Sequence, residues 1–141
     1  MTDAFRAIPI LRIFDEAKAR EFYQGFLGMK VDFEHRFEPG LPLYMQVSRG
    51  ALCLHLSEHH GDACPGSTVF VRMRGVEDLH RELTAKAYRY LRPGVERAPW
   101  GARVMEVTDP FGNRIRFIGG KTATPWTSEP TGCPRRQTAA P

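Results

Sequence analysis

Residues 7–28, AIPILRIFDEAKAREFYQGFLG, carry a strand pattern that is followed directly by a helix pattern. The run Ala7–Phe14 is rich in β-branched and apolar residues, which predicts a strand. Asp15 is suited to cap the N-terminus of a helix, and Gly28 is suited to end one. Between them, Glu16–Leu27 has apolar residues at helical spacing. These residues are Ala19, Phe22, Tyr23, Phe26 and Leu27.

The order of elements continues with three strands and then starts again. The first three strands are predicted at Lys30–Phe37, Leu43–Val47 and Ala51–Ser57. The second series is predicted as a strand, a helix and three strands, at Thr68–Met73, Val76–Ala87, Tyr88–Leu91 extending toward Glu96, Ala102–Val107 and Arg114–Ile118. The two series are offset by about 59 residues, so the pattern predicts two equivalent βαβββ modules, at about 7–58 and 67–119.

These modules predict an α+β fold. We expect the two βαβββ modules to form curved, mostly antiparallel sheets around a cleft. The expected domain is single and spans residues 1–120. Residues 121–141 hold four prolines and five threonines without apolar periodicity, which is typical of a disordered C-terminal tail.

Composition excludes several classes of function. A chain of 141 residues with 42% hydrophobic and 26% charged residues is typical of one globular domain. The net charge is +4, but no basic run indicates nucleic-acid binding. No apolar run approaches the length of a membrane span, and the N-terminus lacks the pattern of a secretory signal. We therefore expect a cytoplasmic protein.

A cluster of metal-type side chains leaves two interpretations open. Its members are His55, His59, His60, Asp62 and Cys64. Only His55 lies within a predicted strand, and no helical pair of ligands supports the cluster, so exposed loop residues are the simpler interpretation. The alternative is a metal site built from His55 and a ligand elsewhere in the chain.

Aromatic residues collect at or near the ends of predicted strands. They are Phe33, Phe37, Tyr44, Trp100 and Phe111. We expect about half of them to be core residues. Trp100 stands between Pro99 and Gly101, a poor setting for a core residue and a good one for a stacking wall. Three acidic residues beside the first two rings predict either an acidic rim or a solvated strand edge: Asp32, Glu34 and Glu38.

Together these features resemble the vicinal-oxygen-chelate superfamily, which includes glyoxalase I, extradiol dioxygenases and the bleomycin resistance proteins. The resemblance covers residues 7–118. It is carried by Ala7–Leu11 with Asp15, Glu21–Tyr23 with Leu27-Gly28, Pro99-Trp100-Gly101, and Asp109-Pro110-x-Gly112-Asn113 leading into Phe117. The opening, Asp32-Phe33 and Pro99-Trp100-Gly101 are most similar to the bleomycin resistance branch. The segment Asp109–Asn113 itself is turn chemistry, and we assign it no catalytic role.

The resemblance also implies where metal ligands would lie. The positions are Ile8, His55, Thr68 and Arg116. Only His55 could bind a metal, because isoleucine has no donor atom, threonine is a poor ligand and arginine carries a fixed positive charge. A catalytic metal needs about three protein ligands. The resemblance therefore implies no catalytic residues, no metal and no cofactor.

The implied function is that of the non-enzymatic branch. Its members sequester bleomycin-type glycopeptides as homodimers, which exchange the first strand and form crevices at their interface. Pro9 suits an exchanged strand because proline cannot donate to a central ladder. The implied ligand-binding residues are Asp32, Phe33, Phe37, Phe70 and Trp100. The expected partners are a bleomycin-like small molecule and a second copy of the chain, with no nucleic acid and no membrane.

Two alternatives remain open at the level of sequence. One is a metal-dependent lyase or oxygenase of the glyoxalase or dioxygenase type, with a divalent metal at His55. The other is a domain that binds an unrelated small molecule. Because the chain is net basic, a related protein with an anionic or neutral ligand is an alternative to one that sequesters a cationic drug.

Overall fold

The computed structural model describes residues 4–88, 94–97 and 103–119. Strand β1 is Ile10–Arg12, and helix α1 is Glu16–Arg20, which continues as a π-helix over Glu21–Phe26. The remaining elements are β2 Lys30–His35, β3 Tyr44–Arg49, β4 Leu52–Ser57, β5 Thr68–Arg72, α2 Val76–Ala85, β6 Val95–Arg97, β7 Arg103–Thr108 and β8 Arg114–Gly119. The predicted order βαβββ, repeated once, is confirmed.

The two modules form two four-stranded mixed sheets with the same topology. The strand order is β1-β4-β3-β2 in the first sheet and β5-β8-β7-β6 in the second. In each sheet the first strand of the module pairs in parallel with the last strand, and the other pairs are antiparallel. The α+β fold class is therefore confirmed.

Several boundaries differ from the sequence prediction, and two of these differences have a clear physical reason. The first strand is shorter than predicted, since Pro9 has no N–H to donate and contributes only its carbonyl, which accepts from the His55 backbone N–H at 2.9 Å. The first helix widens into a π-helix at Glu21, with Leu27 N bonded to the Phe22 carbonyl at 2.9 Å. This wider turn buries the adjacent rings of Phe22 and Tyr23 together.

A shared hydrophobic core joins the helices to one side of each sheet. Leu11, Met45, Val47, Leu54 and Leu56 face it from the first sheet, while Met105, Val107, Ile115 and Phe117 face it from the second. Because side chains alternate along a strand, the neighbouring residues lie on the opposite side of each sheet. We call this opposite side the outer face.

Polar contacts join the two modules as well. Asp109 accepts a hydrogen bond from the Tyr23 hydroxyl at 2.6 Å, and Asn113 Nδ2 donates to the Arg12 carbonyl at 2.8 Å. Arg49 donates two hydrogen bonds to the Glu82 carboxylate, from Nη1 to Oε2 at 2.6 Å and from Nη2 to Oε1 at 2.8 Å. No helix in the described parts of the chain is long and apolar enough to cross a membrane.

Three predicted features lie wholly or mainly outside the described residues. These are the strand predicted at Tyr88–Leu91, of which only Tyr88 is described, the stacking residue Trp100 and the tail at 121–141.

Candidate ligand-binding site

The outer face of the first sheet brings the candidate residues together in rows across the strands. One row runs from Ile10 through His55 and Gln46 to Phe33, because these residues are register partners. The next row runs through Arg12, Ser57, Tyr44 and His35. Register partners point to the same side of a sheet, so the two rows form one continuous surface.

A chain of hydrogen bonds runs across this surface. Gln46 Nε2 donates to Asp32 Oδ2 at 3.0 Å, and Gln46 Oε1 lies 2.9 Å from His55 Nε2. The Tyr44 hydroxyl lies 2.5 Å from His55 Nδ1. We call Asp32, Gln46, His55 and Tyr44 the relay.

Chemistry fixes the direction of every bond in the relay. A carboxylate only accepts, so the amide nitrogen of Gln46 faces Asp32 and its oxygen faces His55. His55 Nε2 must then carry the proton, which leaves Nδ1 to accept from the Tyr44 hydroxyl. Both ring nitrogens of His55 are therefore engaged. Toward the surface, the Tyr44 oxygen presents its lone pairs and acts as an acceptor.

Burial sets the charge state of His55 and predicts a pH effect on stability. Burial lowers the pKa of His55 below its ordinary value of 6.5. Between that lowered pKa and 6.5, the unfolded state binds more protons than the native state. The free energy of unfolding should therefore fall as the pH is lowered through this window. Urea denaturation at pH 7.5, 6 and 5 should show the loss.

Matched variants isolate the contribution of His55 to this pH dependence. His55→Gln should reduce the loss of stability below pH 6.5, whatever its effect at pH 7.5. His60→Gln removes an exposed imidazole and is the matched control for the substitution itself. An identical slope in the His55→Gln variant and the parent would contradict the assignment.

A continuous series of rings covers one end of the outer face. The ring centroids of Phe33 and His55 lie 5.7 Å apart, those of His55 and Tyr44 5.1 Å, and those of Tyr44 and His59 6.5 Å. The series continues from His59 to Phe37 at 5.9 Å and from Phe37 to His35 at 4.8 Å. We call these six residues the ring wall. Phe37 is 73% exposed, so the wall is open to a ligand.

The three acidic residues beside the rings lie in different surroundings. The Asp32 side chain is 3% exposed and belongs to the relay, with Lys30 Nζ at 3.9 Å. Glu34 pairs with Arg20. Glu38 is exposed in the loop that follows β2. Asp32 therefore serves to orient Gln46, and the three carboxylates do not gather at the ring wall.

The predicted cluster of metal-type side chains is also distributed among other partners. His59 joins the ring wall, and Asp62 accepts from Ser57 Oγ at 2.5 Å. Cys64 is exposed. Within residues 4–88, 94–97 and 103–119, no three histidine, cysteine or acidic side chains are grouped so as to hold a metal.

The outer face of the second sheet has the same register arrangement as that of the first, but with different side chains. Phe70, Arg116 and Glu106 are register partners, in the arrangement that Ile10, His55 and Gln46 have in the first sheet. Arg116 Nε donates to Glu106 Oε1 at 2.8 Å, where His55 donates to Gln46. Phe70 is 54% exposed, and the Arg72 guanidinium lies 5.5 Å from its ring centroid.

The structure thus places the predicted site residues in two locations. Asp32, Phe33 and Phe37 lie together on the first sheet, while Phe70 lies on the outer face of the second. The sequence analysis missed Gln46, His35 and Arg12. Side-chain alternation along β1, β2 and β3 assigns these residues to the outer face, but only once the pairing of the strands is known.

Comparisons with known proteins agree with this fold. The profile of the family described as glyoxalase superfamily protein matches residues 3–123. A bleomycin-binding protein solved in complex with bleomycin is 24% identical, with a TM-score of 0.64 over 84% of this chain and 100% of that one. A bleomycin resistance determinant encoded on transposon Tn5 is 23% identical, with a TM-score of 0.64 over 84% and 100% of the two chains.

A further neighbour is TnmS3, an antibiotic-binding protein from Streptomyces sp. CB03234. It is 22% identical, with a TM-score of 0.59 over 85% of this chain and 100% of that one. A search of curated proteins found no match. Identities this low show a shared fold alone, whereas the family profile covers most of the sequence. The chain belongs to the glyoxalase superfamily, as its sequence motifs implied.

Proposed function

We propose that this chain is a non-catalytic binding protein that sequesters a flat, aromatic small molecule, with bleomycin-type glycopeptide antibiotics as the first candidates. The observation that carries the proposal is the ring wall, six rings in series beside a fixed hydrogen-bond relay. Such a surface contacts aromatic ligands through ring faces and edges.

The state of His55 favours binding over metal chemistry. Its two ring nitrogens are taken by Gln46 and Tyr44, so coordination would have to break one of these hydrogen bonds. The other positions that the family resemblance assigns to metal ligands hold Ile8, Thr68 and Arg116. Of these, Arg116 repels a cation and is held by Glu106. These residues do not fit a catalytic divalent metal.

Known neighbours support an antibiotic as the ligand class. Two of the structures similar to this chain are a bleomycin-binding protein and a bleomycin resistance determinant, and a third is an antibiotic-binding protein. Each shares the fold over more than four fifths of this chain. The proposal extends the antibiotic binding named for the first and third of these proteins to this chain.

We also propose that the functional unit is a homodimer. Exposed apolar side chains lie on the outer faces of both sheets, with Ile10 on the first and Phe70 on the second. A partner chain would cover them and turn each open face into a crevice. In the single chain, β1 pairs with β4 of its own module. Sedimentation equilibrium should give twice the mass of the chain, and a monomer at 50 μM would contradict this part of the proposal.

Titration calorimetry with copper-loaded and metal-free bleomycin tests the proposed ligand. We expect saturable binding of one drug per chain, tighter than about 1 μM. Phe37→Ala should weaken it by about 1–2 kcal/mol, or about 5- to 30-fold, because an exposed ring of the wall is lost. Stability should be unchanged, since Phe37 packs little.

Phe5→Ala is the matched control for the ring wall. Phe5 is 92% exposed and lies outside the ring wall, so its removal should leave the affinity within twofold. Equal losses in both variants would show that the drug binds through general hydrophobicity. Conversion of the drug to a new product would contradict a non-catalytic role.

A further inference from the structure

Arg12 lies at the β1 end of the row of outer-face residues that contains Tyr44 and His35 of the ring wall. Across neighbouring strands, Arg12 pairs with Ser57, Ser57 pairs with Tyr44, and Tyr44 pairs with His35. Two strand spacings separate Arg12 from Tyr44, which is about 10 Å. The side chain of Arg12 therefore lies within the length of a two- or three-ring ligand that contacts the wall.

Within the part of the chain that the structure describes, the Arg12 guanidinium has no anionic partner. Its Nη1 is buried without any hydrogen bond, and Arg12 forms no ion pair with the carboxylates among the described residues. The guanidinium carbon of Arg12 lies 4.7 Å from the centroid of the Phe14 ring. A buried donor of this kind is costly to leave unpaired, and native structures rarely do so.

The nearby carboxylates are engaged elsewhere. Asp62 accepts from Ser57 Oγ, and Glu58 accepts from the Leu43 backbone N–H. Asp109 accepts from the Tyr23 hydroxyl and from Asn113. These three carboxylates are therefore bound to other groups, and none of them forms an ion pair with Arg12.

We propose that Arg12 binds an anionic group of the ligand, so that the ligand is a flat aromatic compound carrying a carboxylate or comparable anion. This inference rests on the proposed function, because it takes the ring wall as the binding face. It also sets the orientation of the ligand. The anion is directed to Arg12, since Tyr44 offers only an acceptor and would repel it.

A pair of isosteric probes tests the inference. The probes are 2-naphthoate and its neutral counterpart 2-naphthamide, titrated separately into the full chain at pH 7. We expect naphthoate to bind at least about tenfold more tightly, because hydrogen bonds to a charged group are the stronger ones. Arg12→Gln should weaken naphthoate to the level of naphthamide and leave naphthamide within twofold.

Arg114→Gln is the matched control. It removes the same charge from an exposed position on the second sheet, so it should leave the affinity for naphthoate within twofold. An equal effect of both variants would show general electrostatic attraction and would overturn the role of Arg12. If Arg12→Gln fails to fold, Arg12→Lys and the shift of the Arg12 Nε–H resonance on addition of naphthoate to the parent protein decide instead.

The remaining outcomes separate this inference from the proposed function. Equal affinity for the two probes, with both weakened by Phe37→Ala, would overturn the anion site and leave the ring wall standing. Suppose that bleomycin binding depends on Phe37 but not on Arg12, and that naphthoate is not preferred. This result would also overturn the anion site and leave the ring wall standing. If neither probe binds at millimolar concentration and bleomycin gives no heat, both proposals fail together.

Discussion

Asp109→Ala is expected to lower the free energy of unfolding by about 3–5 kcal/mol. The Asp109 carboxylate is buried and accepts four hydrogen bonds. Its donors are the Tyr23 hydroxyl at 2.6 Å, the backbone N–H groups of Phe111 and Asn113 at 2.8 Å, and Asn113 Nδ2 at 2.9 Å. Alanine would leave these donors without an acceptor in the interior, where each unpaired group costs about 1–3 kcal/mol.

The loss of stability should be large because the hydrogen bonds at Asp109 link the two modules. Tyr23 comes from the first helix, and Asn113 also donates to the Arg12 carbonyl in β1. Burial, and then the Asp109 carboxylate, raise the pKa of Tyr23 well above its ordinary value, so the phenol stays a donor at all working pH values. The interaction therefore persists across the pH range in which the fold is studied.

Urea denaturation of the variant and of Glu38→Ala measures the effect. Glu38 is an exposed carboxylate, and its removal should change the free energy of unfolding by less than about 0.5 kcal/mol. A loss below about 1 kcal/mol for Asp109→Ala would show that water replaces the carboxylate and that the turn is no structural junction.

The repeated fold could be predicted because its signals are local. Helical and strand periodicity in residues 7–57 and 68–118 depends on neighbours within a few positions. The exact ends could not be predicted, since they depend on tertiary contacts. The π-helix at Glu21–Phe26 is an example: within it the adjacent side chains of Phe22 and Tyr23 are both buried, and Tyr23 bonds to Asp109 of the second module.

The arrangement of the candidate site could be predicted only in part. Phe33 and Phe37 follow from family resemblance, but the role of Asp32 depends on a β-bulge between Val31 and Phe33. In a regular strand Asp32 and Phe33 would point to opposite sides. The bulge lets Asp32 reach Gln46 on the outer face.

Long-range pairing explains what the sequence could not show. Gln46 becomes informative only when β3 and β4 are paired so that it lies opposite His55. The turn at Asp109 was correctly assigned to turn chemistry, but its bond to Tyr23 spans 86 residues of sequence. The unpaired Nη1 of Arg12 depends on packing from several elements and has no sequence signal.

Gln46→Leu is expected to lower the free energy of unfolding by about 2–4 kcal/mol. Gln46 is 2% exposed and supplies the donor to Asp32 and the acceptor for His55 Nε2. Leucine fills a similar volume, so the loss comes from two unpaired polar groups rather than from a cavity. With its acceptor gone, the imidazole should populate both neutral tautomers, which two-bond ¹H–¹⁵N spectra distinguish.

Two further variants test whether the loss arises in the relay. Gln24→Leu makes the same change at an exposed helix position and should alter stability by less than about 0.5 kcal/mol. Adding Asp32→Leu to Gln46→Leu should cost less than the sum of the single changes, because replacing both partners removes the unpaired carboxylate. Strict additivity of the two losses of stability, or a single His55 tautomer retained in Gln46→Leu, would mean that Asp32 and Gln46 do not act as one unit. Some other group would then have to fix the acceptor role of Tyr44.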